Sequence, residues 1–207
     1  MGNIAMFGGA FNPIHKGHVH LALSMLKQYA LDKVLLIPSG TPPHKSAPDL
    51  AAGEHRLAMC RLAAQAHPAL QADGVELIRQ GKSYTADTVK ELKRRYPHDR
   101  LFLIMGSDML FTFDQWFRYE EILQNAVLLA GARNDDEYEK LCRKADALGQ
   151  AVPGGDVRVS DIRVMPMSST QVRQTLYAGE DASAFLEPEV LQYIQENSLY
   201  QPEKTRG

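Results

Sequence analysis

Two histidines near the start of the chain, His15 and His18, are three residues apart with Gly17 between them. Side chains at that spacing share one face of a helical first turn. Two imidazoles there can hydrogen-bond phosphate oxygens and stabilise negative charge that builds during a reaction. The residues before them would aim the pair. The apolar run 4–7 reads as a short buried strand, Gly8 and Gly9 free the backbone to turn sharply, and Asn12-Pro13 keeps the chain extended. From about Lys16, the pattern Val19, Leu21, Ala22, Leu23, Leu26 is helical. A strand, a turn and a helix start direct free N–H groups and the positive end of the helix dipole at one point, an anion site whose commonest occupant is phosphate. The stretch is neither a GxxxxGK[ST] loop nor a GxGxxG fingerprint.

A second cluster lies near the other end, where Pro166 is followed by Ser168, Ser169, Thr170 and Arg173. These residues mark a helix N-terminus. Capping accounts for the hydroxyls but not for Arg173, because a cation there opposes the helix dipole unless an anion compensates. Hydroxyls, N–H groups and a guanidinium together make a second polyanion cradle. Between the clusters, Gly106-Ser107-Asp108 follows the apolar run 100–105, and a carboxylate there suits a ribose hydroxyl or a metal-bound water, or caps a helix. His44 and Lys45 belong to a Pro- and Gly-rich loop, either solvated or facing a ligand. Thr85 and Asp87 open a helix and either cap it or touch a ligand. Trp116, the single tryptophan, belongs to the core or stacks on a planar ring, a contact of about 1–3 kcal/mol by analogy with base stacking. Arg133 ends the apolar run 126–131.

The elements that must position these residues alternate. Continuous apolar runs at 33–38, 100–105 and 126–131 are the pattern of parallel strands covered on both faces. Helical patterns fall at 53–66, with Leu57, Cys60 and Ala64 on one stripe, from 83–89 to about Tyr96, and at 134–150. Short strands are expected at 75–78 and 157–159, with 162–165 as the last sheet element, before a closing amphipathic helix over 188–199. This is an α/β chain with a parallel sheet.

Composition narrows the partners. With 207 residues, 44% hydrophobic and 23% charged, the chain reads as one domain over 1–207 that buries its core without staples. A net charge of −2 and the lack of a basic block argue against a nucleic-acid polymer, while a small anionic ligand needs only a local basic cluster. Cys60 and Cys142 form neither a disulfide framework nor a CxxC pair, which fits a reducing compartment. No run approaches the ~20 apolar residues of a membrane span, and no leader pattern opens the chain. The expectation is a cytoplasmic protein without a membrane partner.

The stretch Gly8-Gly9-Ala10-Phe11-Asn12-Pro13-Ile14-His15-Lys16-Gly17-His18, taken with Ser168-Ser169-Thr170 and Arg173, resembles the HxGH nucleotidyltransferase superfamily, and within it the bacterial nicotinate-nucleotide adenylyltransferases. Pro42-Pro43-His44-Lys45, His55-Arg56-Leu57-Ala58-Met59, Ser83-Tyr84-Thr85, Asp87-Thr88, Gly106, Asp108 and Trp116 extend the likeness over roughly residues 3 to 197. Two departures stand out: Ala10 replaces the family's Thr or Ser, and 134–156 lacks the usual arginine-proline-glycine pattern.

The resemblance implies a doubly wound Rossmann-like parallel sheet with helices on both faces, and a segment of about 168–200 closing the ATP site. It implies an adenylyltransferase joining the AMP moiety of ATP to nicotinate mononucleotide, with Mg²⁺ carried by ATP. In that reading His15, His18 and Arg173 are catalytic. Gly8, Gly9, Ala10, Phe11, Gly106, Asp108, Arg133, Ser169 and Thr170 contact ATP, and Lys45, Thr85 and Trp116 contact the acceptor. A sibling enzyme with phosphopantetheine as acceptor and a nucleotide sensor without turnover, for which Ala10 is the hint, stay open. So do nicotinate-versus-nicotinamide preference and homo-oligomerisation.

Overall fold

The computed structural model describes residues 1–40, 49–79, 81–132, 135–162 and 164–201. Six strands, β1 (Asn3–Gly9), β2 (Lys33–Pro38), β3 (Leu70–Ala72), β4 (Arg100–Gly106), β5 (Val127–Gly131) and β6 (Val157–Ser160), form one parallel sheet in the order β3-β2-β1-β4-β5-β6. The helices are α1 (Lys16–Gln28), α2 (Gly53–Ala64), α3 (Thr85–Arg95), α4 (Ser107–Phe111), α5 (Tyr119–Asn125), α6 (Asp135–Ala151), α7 (Ser169–Tyr177) and α8 (Pro188–Glu196).

Alternation along each strand divides the core in two. Ala5, Phe7, Leu36, Ile104 and Leu129 bury against Ala22 and Met25 of α1, Met59 and Cys60 of α2, and Val172 and Val190 of α7 and α8. Ile4, Met6, Leu35, Leu103 and Leu128 bury against Val89 and Leu92 of α3, Leu110 of α4, Ile122 of α5 and Leu141 of α6. Both sheet faces are therefore covered, and the continuous apolar runs follow from that. The fold is doubly wound and Rossmann-like.

The chain steps from β1 to β2 and β3 on one side, then returns to place β4 on the other. Crossovers diverge at β1 and β4, which opens a crevice at the strands' carboxyl ends. Helices that follow or precede those ends turn their N-termini toward it.

Four sequence expectations change. Residues 75–78 are a turn region, and the edge strand is β3 instead. Asp73 Oδ1 accepts the Val75 N–H at 2.9 Å, a local bond that replaces a ladder bond and leaves Ile78 81% exposed. The sheet ends at Ser160, whose Oγ accepts the Ile162 N–H at 3.1 Å and also contacts Gln28, so Ile162, Val164 and Met165 carry no strand. On α2 the buried stripe is Arg56, Met59, Cys60, Ala63 and Ala64, with Leu57 half-buried. Helix α8 stops at Glu196, and the chain folds back so that the Leu199 N–H meets the Ile194 carbonyl at 3.0 Å. Among the described residues no helix is long and apolar enough to cross a membrane.

Candidate active site

The glycine pair does not make the turn after β1. Gly8 and Gly9 are still in the strand, paired with Ile37 and Pro38 of β2. Phe11 makes it instead, with φ 45, followed by a cis Asn12-Pro13 peptide rather than an extended one. The Phe11 ring is 1% exposed and meets the rings of Phe7 and His18 edge-on at 5.5 and 5.1 Å, so core packing holds its backbone in the left-handed region. Gly9 is needed for close approach, since a Cβ there would be 3.1 Å from the Phe11 ring. A Cβ on Gly8 would meet nothing within 4 Å, and Gly8 and Ala10 are exposed at the strand end. Phe11 thus offers the crevice backbone groups only.

His15 is the N-cap of α1, and its N–H donates to His18 Nδ1 at 3.2 Å. His18 does from the third helical position what Glu or Gln does in a capping box. Accepting at Nδ1 leaves the neutral imidazole's proton on Nε2, a donor. The two rings stack with centroids 3.6 Å apart. Burial pulls the His15 pKa down to about 4. Burial and then the neighbouring His15 hold His18 well below the usual histidine range. Both imidazoles are neutral near pH 7.

Gly17 is required by packing. A Cβ there would be 2.8 Å from Met167 Cγ and 3.1 Å from His15 Nδ1. The Gly17 N–H, one of the orphan donors of α1, points at Met167 Sδ, 3.1 Å away. Met167 belongs to the segment that starts α7, so the two ends of the chain meet here. Ser169 Oγ donates to the Pro13 carbonyl at 2.9 Å, Arg173 Nη1 donates to the Asn12 carbonyl at 2.8 Å, and the Lys16 N–H donates to the Phe185 carbonyl at 2.8 Å. Ser168 is the α7 cap, accepting the Gln171 N–H at 3.2 Å, and Thr170 is exposed on the first turn.

At the end of β4, Gly106 caps α4, and a Cβ on it would be 2.8 Å from Asp108 Oδ1. Glycine at that position is what lets the Asp108 carboxylate fold back over the strand end. Among the described residues, three buried side-chain polar atoms lack a hydrogen-bond partner: His15 Nδ1, Ser39 Oγ and Ser107 Oγ. They lie at or just past the carboxyl ends of β1, β2 and β4, neighbours in the sheet. Buried polar atoms are rarely left unpaired.

Thr85 is the first residue of α3, whose cap is Tyr84 with no side-chain capping bond. Neither Thr85 nor Asp87 is therefore the cap. The Tyr84 ring contacts Phe117 at 4.5 Å, which brings the Thr85 and Trp116 segments together. Trp116 is half-buried against Phe113, rings 5.2 Å apart, so it is neither wholly core nor wholly free. Sequence spacing passes over Phe117, because no local pattern marks an aromatic pair across two elements, and Arg56 enters only through the family likeness, its place on the buried face of α2 being set by the fold. Lys45, His44 and Arg133 lie outside the described residues. Also among the described residues, no three His, Cys, Asp or Glu side chains cluster as a metal site.

A family model described as cytidylyltransferase-like matches residues 6–175. The chain is 33% identical over 207 residues to the nicotinate-nucleotide adenylyltransferase of Bacillus subtilis, covering 97% of this chain and 100% of that protein. It is also 33% identical over 202 residues to a Neisseria meningitidis serogroup B protein named "Probable nicotinate-nucleotide adenylyltransferase", again with 97% and 100% coverage. A solved structure of Plasmodium falciparum nicotinic acid mononucleotide adenylyltransferase complexed with NaAD has the same fold, with a TM-score of 0.77 at 19% identity, covering 97% of this chain and 98% of that one. The chain belongs to the cytidylyltransferase-like family, among its nicotinate-nucleotide adenylyltransferases.

Proposed function

We propose that this enzyme transfers the AMP moiety of ATP to nicotinate mononucleotide, forming nicotinate adenine dinucleotide and pyrophosphate. The observation that carries the reading is the neutral imidazole stack of His15 and His18 at the α1 N-terminus, where Ser169 and Arg173 of α7 reach the Pro13 and Asn12 carbonyls.

A phosphate oxygen of the mononucleotide bonds to the α-phosphorus of ATP, and the bond from that phosphorus to the β-phosphate bridging oxygen breaks with its electron pair. Pyrophosphate leaves. A phosphate monoester is already nucleophilic at neutral pH, so the chain supplies alignment of two repelling anions and stabilisation of migrating charge. His15 and His18 hold the reacting phosphates, His18 through Nε2–H. The N–H groups of the Gly8–Phe11 stretch line the ATP phosphates. Arg173, with Ser169 and Thr170, faces the β- and γ-phosphates, and Lys45 a phosphate of the acceptor. Asp108, beside Gly106, meets the ATP ribose, and Arg133 the adenine side. Thr85 and Trp116 frame the pyridine ring. A Mg²⁺ carried by the triphosphate would have Asp108 as its protein neighbour and would neutralise phosphate charge there.

The chain acts as one domain over 1–207, with 168–200 closing the ATP side, in the reducing cytoplasm where Cys60 and Cys142 stay as thiols. Mixing ATP and Mg²⁺ with nicotinate mononucleotide, nicotinamide mononucleotide or phosphopantetheine, and measuring pyrophosphate, tests the reading. Release only with the pyridine nucleotide supports it; release only with phosphopantetheine, or with none, overturns it.

A further inference from the structure

Tyr200 and Asn12 are 188 residues apart in sequence, and the Tyr200 hydroxyl donates to Asn12 Oδ1 at 2.7 Å, with both side chains buried. The same Oδ1 accepts the Ala51 N–H at 3.0 Å, and Asn12 Nδ2 donates to the Asp49 carbonyl at 2.8 Å. The Asn12 carbonyl takes Arg173 Nη1. Beside it, Arg56 is 2% exposed, with Nε on the Ala51 carbonyl and Nη1 on the Ala10 carbonyl, each at 2.9 Å. The loop that leads from β1 to His15 is thus held at Ala10 and Asn12 from three distant parts of the chain.

Tyr200 is itself in a costly backbone state, with φ 54. A bulky residue adopts the left-handed region only where its surroundings over-determine it. Here the turn after α8 and the burial of the ring do so, and the result is a hydroxyl delivered to the phosphate loop. A side chain needed only for packing could be apolar.

We infer that Tyr200 is a positioning residue for nucleotidyl transfer: its hydroxyl locks the Asn12 amide and thereby the backbone that presents His15 and engages Arg173. This rests on the function proposed above. The hydroxyl is engaged by the Asn12 amide. It fixes a loop in which a small misplacement of the imidazoles costs turnover.

The test compares the full-length protein with Tyr200→Phe, Asn12→Ala and the double variant. Phenylalanine keeps the ring and removes one hydrogen bond. Tyr200→Phe should fold, lower kcat about tenfold and leave KM for ATP and nicotinate mononucleotide within about twofold. Amide hydrogen exchange over residues 10–16 should quicken while the strands stay protected. The double variant should lose no more kcat than Asn12→Ala alone, because both act on one contact. Wild-type kcat and exchange in Tyr200→Phe overturn the inference, as do additive kcat losses. Failure of Tyr200→Phe to fold overturns it as well, since the hydroxyl would then serve the fold as a whole. If the unsubstituted protein turns over nothing, the proposed function falls instead, and the exchange comparison, which needs no turnover, still decides whether the hydroxyl holds the loop.

Discussion

The imidazoles of His15 and His18 lie nearly face to face, centroids 3.6 Å apart at an interplanar angle of 23°, beneath the edge-on ring of Phe11. Two charged rings could not rest at that separation, and burial depresses both pKa values, that of His15 to about 4. A triphosphate supplies the missing countercharge and should raise both. Imidazole NMR titrations with and without ATP check this; identical curves would argue against phosphate at the stack. The same depression links stability to pH. Between about 4 and the ordinary value near 6.5, the unfolded chain binds protons that the folded one refuses, so unfolding free energy should rise with pH across that window and level off above it. Urea melts at a series of pH values give the slope.

His18 does two things at once, capping α1 through Nδ1 and offering Nε2–H, so alanine would confuse them. His18→Gln keeps a side chain that can reach back to the His15 N–H. It should therefore stay close to wild type in thermal stability and still lose about 10²–10³-fold in kcat, the scale of one lost oxyanion donor. Turnover near wild type in a folded His18→Gln protein would remove the imidazole from the chemistry.

Gly17→Ala tests the packing around that pair. Alanine in a helix normally stabilises by about 1 kcal/mol over glycine. Here the new Cβ would sit 2.8 Å from Met167 Cγ and 3.1 Å from His15 Nδ1. Both stability and kcat should fall. Adding Met167→Ala relieves the first overlap and not the second, so it should restore the melting temperature but not turnover. Full recovery of kcat would show that His15 had not been displaced.

What was legible in the sequence follows from its periodicities. Strands such as 33–38 announce themselves because both faces are buried, and Arg173 stands out because a cation at a helix N-terminus opposes the dipole; in the fold its Nη1 meets the Asn12 carbonyl. The turn after β1 was misread because a Gly-Gly pair looks like a turn, whereas here the left-handed residue is Phe11, held by tertiary contact with Phe7 and His18. The 75–78 strand was lost to a single Asp73 side-chain bond. Tyr200 carries no local mark because its bond to Asn12 spans 188 residues, and the bonds that Asn12 and Arg56 make are likewise set by the fold and not by sequence spacing.

The acceptor side is the part of the site where aromatic contacts decide. Trp116 leans on Phe113 but stays half-buried, and Phe117 next to it bears on Tyr84 and beneath the Arg118 guanidinium, 4.9 Å from the ring centroid. The Phe113 contact restrains the indole, so a planar ring stacking on its free side would cost little side-chain entropy. Stacking of that kind contributes about 1–3 kcal/mol, so Trp116→Ala should raise KM for nicotinate mononucleotide by about 5- to 150-fold. KM for ATP should be nearly unchanged, since the proposed triphosphate site is at the α1 and α7 termini. Phe117→Ala leaves the indole and removes the Tyr84 contact that joins the Thr85 and Trp116 segments, so it should produce a smaller shift of the same kind. Steady-state kinetics with each substrate varied separately decides the matter: equal rises in both KM values would mean that the indole supports the crevice as a whole and does not read the pyridine ring.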